Sequence, residues 1–169
     1  MTVRRSFRKY GRIALVGLLM VLAGCGYSMH PQSALPFHEI AVDTIENSTT
    51  EPGLQDILHR ALVEEFMRQG IEVTPLSKRR VSAVIRSFDM PSLSEKNDVS
   101  REYRITVSVD FTVVGEDGQK TYLKNIGAPF MKPFAAADDM GSLLAAKRIA
   151  EEQTLRDVAE QFIGALVYK

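Results

Sequence analysis

The sequence predicts an α+β two-layer sandwich, with two helices on one face of a mixed four-stranded sheet in the order β-α-β-β-β-α. Apolar and polar residues alternate from Tyr103 to Val113, as in a strand with one buried face. Two other segments, 54–66 and 138–167, carry apolar residues at the spacing of an amphipathic helix. With 169 residues, 45% of them hydrophobic, the chain can form the core of a single domain.

The N-terminus has the layout of a secretory signal. A basic segment, Val3 to Arg12, precedes an apolar run from Ile13 to Ala23, which is too short to cross a bilayer. Cys25 follows and is the only cysteine, so an intramolecular disulfide and a Cys-based zinc site are excluded. We therefore expect residues 1–24 to be removed as a signal peptide.

Leu22-Ala23-Gly24-Cys25 resembles the lipobox of bacterial lipoproteins, in which the cysteine receives a diacylglyceryl group and the peptide is cut before it. The resemblance implies a lipid on Cys25. The residues that follow, up to Pro36, show no apolar period, so residues 25–36 are predicted to be a lipidated tether and residues 37–169 a single folded domain. In that class of protein, Asp after the cysteine signals retention in the inner membrane, and here the residue is Gly26. The implied location is the outer membrane, with the domain facing the periplasm.

The formal net charge is zero, but the charges are unevenly distributed. All basic residues of the predicted signal precede Glu39, the first acidic residue, so the rest of the chain is net acidic. This argues against general nucleic-acid binding, which depends on many Lys and Arg contacts to phosphates. Because Arg4-Arg5 resembles a twin-arginine signal, both export routes stay open.

The first strand is predicted over Phe37 to Ile45, and turn-forming residues at 47–50 close it. After Pro52 and Gly53, apolar residues at helical spacing predict the first helix, which Gly70 ends. These apolar residues are Leu54, Ile57, Leu58, Ala61, Leu62 and Phe66.

Three further strands are predicted after this helix. Val81 to Met90 forms the second, and a polar loop, Ser92 to Ser100, leads to the third around Tyr103 to Val113. A hairpin turn at Gly115 to Gly118 connects it to the fourth, Gln119 to Phe130. Because a helix connects the first two strands, they are predicted to be parallel, whereas tight connections make the later strands antiparallel.

The second helix is predicted from about Asp138 to Val167, a segment rich in Ala, Leu, Glu and Arg without proline. Asp138 and Asp139 suit its positive N-terminus. Its apolar stripe consists of Leu155, Val158, Ala159, Phe162, Ile163 and Leu166.

A short extended segment is also predicted within Ile71 to Leu76, between the first helix and the second strand.

Residues suited to catalysis or metal binding are not grouped in the sequence. The histidines are His30, His38 and His59. None has a metal-ligand spacing to another histidine or an acid. Glu64-Glu65 and Glu151-Glu152 are adjacent on helices and point apart, so they are predicted to be solvated faces. We therefore expect a protein that binds rather than catalyses, without a metal or cofactor.

Basic residues near strand ends are the remaining candidates for a binding site. They are Lys78, Arg79, Arg80, Lys96, Arg101 and Lys132. If loops from one end of the sheet present these charges together, they can bind the phosphates of an anionic partner. The alternative is that the same charges serve only solubility.

Four segments together resemble the lipopolysaccharide-assembly lipoprotein family of the LptE type. They are Cys25-Gly26-Tyr27, Ile45-Glu46-Asn47-Ser48-Thr49, Glu51-Pro52-Gly53-Leu54 and Arg101-Glu102-Tyr103-Arg104-Ile105. None of them is a catalytic signature. Their order and spacing, together with the lipobox, make the resemblance.

The resemblance implies a lipoprotein that sits inside an outer-membrane β-barrel partner of the LptD type, plugs it and helps deliver lipopolysaccharide to the outer leaflet. It further implies that a basic residue before the long strand contacts lipopolysaccharide, which matches Lys96, with Lys132 as a second choice. The net acidity of the mature chain weighs against a strongly electrostatic site. The rival hypothesis is an outer-membrane lipoprotein that acts as a transport accessory or scaffold unrelated to lipopolysaccharide.

Overall fold

The computed structural model of the protein describes residues 35–96, 99–127, 132–135 and 139–168. Cys25 lies outside the described residues, as do the predicted signal peptide and most of the predicted tether. The elements are β1 (Glu39–Asn47), α1 (Leu54–Arg68), β2 (Glu72–Val73), β3 (Arg80–Asp89), β4 (Ser92–Lys96), β5 (Val99–Val114), β6 (Lys120–Ile126), β7 (Lys132–Ala135) and α2 (Met140–Val167). Among these residues, no helix is both long and apolar enough to span a membrane.

The strands form one mixed sheet, as predicted. Its path is β2-β1-β3-β5-β4, and β6 and β7 also pair with β5. β1 is parallel to β2 and β3, whereas β3, β4, β6 and β7 are antiparallel to β5. The parallel β1–β3 pair follows from the crossover through α1, because a chain that returns through a helix re-enters the sheet in the same direction.

The predicted number of four strands is wrong. Within Ser92–Ser100, predicted to be a polar loop, residues 92–96 instead form β4 and residues 99–100 begin β5, and the two strands pair antiparallel. The segment predicted as one strand, Gln119–Phe130, contains only β6 within its described residues, and β7 follows from Lys132. Alternating hydrophobicity detects strands that bury one face, and the residues of β4 have no such alternation. Their pairing depends on backbone hydrogen bonds to β5, which leave no apolar pattern.

Gly70 and Asp139 cap helices as predicted, whereas Asp138 lies outside the described residues. Gly70 adopts a φ of 76°, and the N–H of Ile71 donates to the carbonyl of Phe66 at 2.9 Å, closing the last turn of α1. At the start of α2, the Asp139 side chain accepts a hydrogen bond from the N–H of Ser142 at 2.9 Å. Hydrogen bonds from Ser142 lower the pKa of Asp139, because they favour the charged carboxylate.

The core lies between the two helices and one face of the sheet. Phe162 of α2 stacks on Phe111 of β5 with ring centroids 4.0 Å apart and meets Phe66 of α1 edge to face at 6.2 Å. Each of the three rings is at most 1% exposed. Offset stacking and edge-to-face contacts are the favoured geometries of aromatic pairs. The predicted stripe of α1 is entirely buried, and in α2 only Leu166 is less than fully buried.

Two of the acidic residues predicted to be solvated are buried. Glu65 is 3% exposed and Glu151 is 4% exposed, whereas Glu64 is exposed and Glu152 is partly exposed. Adjacent helical residues point about 100° apart, so one member of each pair turns toward the other helix. The prediction is therefore wrong for Glu65 and Glu151, which face the interface between the helices. Which residue of each pair faces that interface depends on how α1 and α2 pack.

Candidate functional site

Toward the start of β5 the sheet continues as a three-stranded part, which we call the sheet extension. It comprises β4, β7 and residues 99–105 of β5. Both β4 and β7 pair with Glu102 and Tyr103, so they lie on opposite sides of β5. The N–H of Arg104 donates to the carbonyl of Pro91 at 3.1 Å, which continues the β3 side of the sheet into β4. Both lysines predicted to contact lipopolysaccharide belong to this part.

Lys96 and Lys132 were predicted in loops, but the structure places both in strands. Lys96 ends β4 opposite Val99, and Lys132 begins β7 opposite Ile105. At about 3.3 Å per strand residue, those two positions on β5 are roughly 20 Å apart. Because β4 and β7 also flank β5 on opposite sides, the backbone places the two lysines at separate edges of the sheet extension.

The other predicted basic residues do not join them as one surface. Arg80 pairs with Val114 at the end of β5, whereas Arg101 lies near its beginning. The Arg80 guanidinium makes a two-pronged contact with Asp43, including Nε to Oδ2 at 2.6 Å, which raises the pKa of Arg80. An arginine paired in this way is already bound to a carboxylate of its own chain. The hypothesis that loops at one end collect all of these charges is therefore wrong.

The turn after β1 is held by side-chain hydrogen bonds. Asn47 Nδ2 donates to the carbonyl of Glu51 at 2.7 Å, and its Oδ1 accepts from the N–H of Thr49 at 3.0 Å. Thr49 Oγ1 donates to the same oxygen at 2.8 Å. An asparagine that satisfies nearby backbone groups in this manner fixes a tight turn. This arrangement gives the Asn-Ser-Thr segment of the family resemblance a structural role.

A lysine in α2 ties this turn to the helix layer. Lys147 Nζ lies 2.7 Å from Glu51 Oε2 and 3.6 Å from Glu151 Oε1. Burial raises the pKa of Glu151, and the nearby Lys147 opposes that shift while Glu51 adds to it. The Lys147–Glu151 pair has a four-residue helical spacing that the sequence displays. Glu51 could not be recognised as a partner, because it is 96 residues away in the chain.

The described residues contain no group of three or more His, Cys, Asp or Glu that could hold a metal ion. His38 is exposed just before β1, and His59 is exposed on α1. His59 lines an open groove of about 410 Å³ together with Asp43 and Asp56. Asp43 is already paired with Arg80.

The chain resembles several solved lipoprotein structures. Rare lipoprotein B from Shewanella oneidensis is 13% identical with a TM-score of 0.51, and the match covers 78% of this chain and 95% of that one. A minor lipoprotein from Acinetobacter baumannii is 11% identical with a TM-score of 0.51, over 79% and 93% of the two chains. A Xanthomonas campestris protein is 15% identical with a TM-score of 0.52, over 83% and 88%. At these identities the likeness concerns the fold alone.

Sequence comparison gives the second line of evidence. A search of curated proteins finds no match. The sequence model of the LptE family, described as lipopolysaccharide-assembly, matches residues 37–166. That range runs from just before β1 almost to the end of α2 and takes in every element of the fold. The chain therefore belongs to the LptE lipopolysaccharide-assembly family, as its sequence motifs predicted.

Proposed function

We propose that this chain is an outer-membrane lipoprotein that partners and plugs an LptD-like β-barrel and assists lipopolysaccharide transport and assembly. The observation that carries the proposal is the match of residues 37–166 to the LptE family. Its work is binding rather than catalysis. The sheet extension supports this role, because β4 ends the strand path of the sheet and offers an edge that a partner can contact.

The proposed anchor is a lipid on Cys25 after removal of residues 1–24. More than one acyl chain gives stable membrane attachment, whereas a single chain gives only marginal binding. The anchor keeps the domain on the periplasmic side of the outer membrane, in the same bilayer as its barrel partner. Confinement to one bilayer raises the effective concentration of each protein for the other.

In this proposal Lys96 and Lys132 are the lipopolysaccharide contacts. Their strand positions lie at separate edges of the sheet extension, with β5 partners six residues apart. Each lysine therefore binds a different anionic group of the ligand, and the two do not clamp a single phosphate. A lysine acts as a point charge toward phosphate, which suits independent contacts of this kind.

The deciding experiment is an affinity pull-down of the full chain from detergent-solubilised outer membranes. We expect a large β-barrel protein to be recovered with it. The Cys25→Ser variant is the control for the anchor, and it should remain as an uncleaved or unanchored precursor. Recovery of inner-membrane transporter components alone would contradict the barrel partnership and favour the transport accessory or scaffold. Normal membrane fractionation of Cys25→Ser would contradict the lipid anchor.

A further inference from the structure

A groove of about 490 Å³ opens at the end of the sheet opposite the sheet extension. We call it the Arg79 groove. It lies where the segment before β1 meets the start of β3, the end of β5, the start of β6 and the end of α2. The lining residues used below are Phe37, Arg79, Lys120, Tyr122 and Leu166.

Arg79 brings positive charge to this groove. Its guanidinium carbon lies 4.4 Å from the centroid of the Phe37 ring, and its Nη2 lies 3.4 Å from Glu116 Oε1. Lys120 is exposed at the same groove. A phosphate fits these surroundings, because it accepts several charge-assisted hydrogen bonds at once.

The groove and its surroundings also have an amphipathic character. Tyr122 is 56% exposed within it, and Leu166 contributes an apolar wall. Tyr168 follows Leu166 by two residues and is 83% exposed, and Leu76, three residues before Arg79, is 89% exposed. Tyrosines and long basic side chains concentrate at membrane surfaces, because the apolar part of the side chain contacts lipid while its polar tip stays in water.

The position of the groove along the chain agrees with a membrane ligand. Phe37 follows Cys25 by twelve residues, and the described chain starts at Leu35. Ten fully extended residues reach at most about 35 Å. With Cys25 anchored as in the proposed function, on which this inference rests, Leu35 lies within about 35 Å of the anchor, and the groove begins within two residues of it.

We propose that the Arg79 groove binds the phosphate headgroup of an anionic phospholipid in the leaflet that holds the anchor. Arg79 and Lys120 contact the phosphate, and Tyr122 and Leu166 pack against the glycerol and the first acyl carbons. The groove is distinct from the positions of Lys96 and Lys132, which lie toward the other end of β5. Because the sheet extension lies at the other end of β5, a label on it should stay farther from the headgroups than a label beside the groove.

The test measures the depth of a fluorescent label on the full lipidated chain in vesicles. Because the proposed lipid occupies the only native cysteine thiol, a new cysteine is the single labelling site. Gln119→Cys reports from beside the groove, and the exposed Glu102→Cys is the matched probe on the sheet extension. Vesicles contain phosphatidylcholine alone or with phosphatidylglycerol, together with a lipid that carries a quencher in its headgroup region.

We expect phosphatidylglycerol to increase quenching at position 119 but not at position 102. In the Gln119→Cys chain, Lys120→Glu should lower the ratio of docked to undocked protein by at least roughly fivefold, the usual effect of losing one basic charge near an anionic surface. Arg79→Gln should act in the same direction. Lys124→Glu is the matched control, because Lys124 is exposed on the same strand outside the groove, and it should leave quenching unchanged.

Vesicle flotation separates failure of this inference from failure of the anchor. Loss of flotation would refute the anchor, and with it the groove proposal. Normal flotation with equal quenching at positions 119 and 102, or equal effects of Lys120→Glu and Lys124→Glu, would overturn the groove proposal and leave the proposed function intact. Circular dichroism of each variant separates lost docking from unfolding. If Arg79→Gln does not fold, the result for Lys120→Glu alone tests the proposal.

Discussion

The two ends of β5 are built in different ways. Toward Val114, β5 buries Val109, Phe111 and Val113 beneath the helices, and β3 and β6 pair on its two sides. Toward Val99, it is flanked by β4 and β7, in a stretch whose sequence is mostly polar around β4. The end of β5 near Val114 is therefore stabilised by both apolar burial and backbone pairing. At the sheet extension β4 also pairs with β5, but its residues do not alternate between apolar and polar. This contrast predicts that stability resides mainly in the core, whereas lipopolysaccharide contact resides in the sheet extension.

The largest effect should come from the core. Phe162→Ala removes the ring that joins Phe66 of α1 to Phe111 of β5. We expect the free energy of unfolding to fall by about 3–5 kcal/mol, as for other buried aromatic truncations. Urea unfolding measures the change, with the exposed Tyr168→Ala as an aromatic control that should cost little. Equal losses in the two variants would contradict the assignment of stability to this ring cluster.

The next effect should be on binding at the sheet extension. Lys96→Glu should weaken lipopolysaccharide binding about tenfold, the usual size of a lost charge-assisted contact, without changing the unfolding midpoint. Lys124→Glu makes the same charge change on β6, and it should bind normally. Titration of fluorescent lipopolysaccharide against each variant gives the affinities. Unchanged binding by Lys96→Glu removes Lys96 from the site, and Lys132→Glu tests the other edge separately.

Breaking the backbone pairing of the sheet extension should have a smaller effect on global stability. Ser94 pairs with Glu102 in the β4–β5 hairpin, and Ser94→Pro removes a backbone donor from β4. We expect less than about 1 kcal/mol of lost global stability, since local openings cost less than unfolding of the core. Hydrogen exchange should become faster at residues 99–103 and stay slow at 107–113. A cooperative loss of protection in both ranges would show that the two ends of β5 unfold together.

The smallest predicted effect is a pH dependence in the helix layer. Burial raises the pKa of Glu151, so its contribution to stability is fully present below the unfolded-state pKa and is lost as pH rises through the higher folded-state pKa. Glu151→Gln imitates the uncharged form. It should raise the free energy of unfolding at neutral pH and lose that advantage in acid. Chemical unfolding at several pH values measures the difference, and the opposite sign would mean that the Lys147 contact outweighs burial.

The sequence alone determined the elements that bury an apolar stripe. Burial on one face forces a period of 2 in a strand and 3.6 in a helix, so β5, α1 and α2 could be recognised without coordinates. The capping roles of Gly70 and Asp139 were also readable, because helices commonly end at a residue with positive φ and begin at a side-chain acceptor. The sequence motifs also predicted membership of the lipopolysaccharide-assembly family, and the family match over residues 37–166 confirms it.

Only the tertiary structure decided which polar residues are brought together. β4 was missed because its pairing with β5 depends on backbone groups that every residue carries. The burial of Glu65 and Glu151 depends on the contact between α1 and α2, and the Glu51–Lys147 pair joins residues that are 96 positions apart. Lys96 and Lys132 were identified as residue types, but their separate edges follow from strand pairing. Apolar burial is periodic and therefore visible in a local stretch of sequence, whereas long-range polar contacts depend on where the folded chain places distant segments.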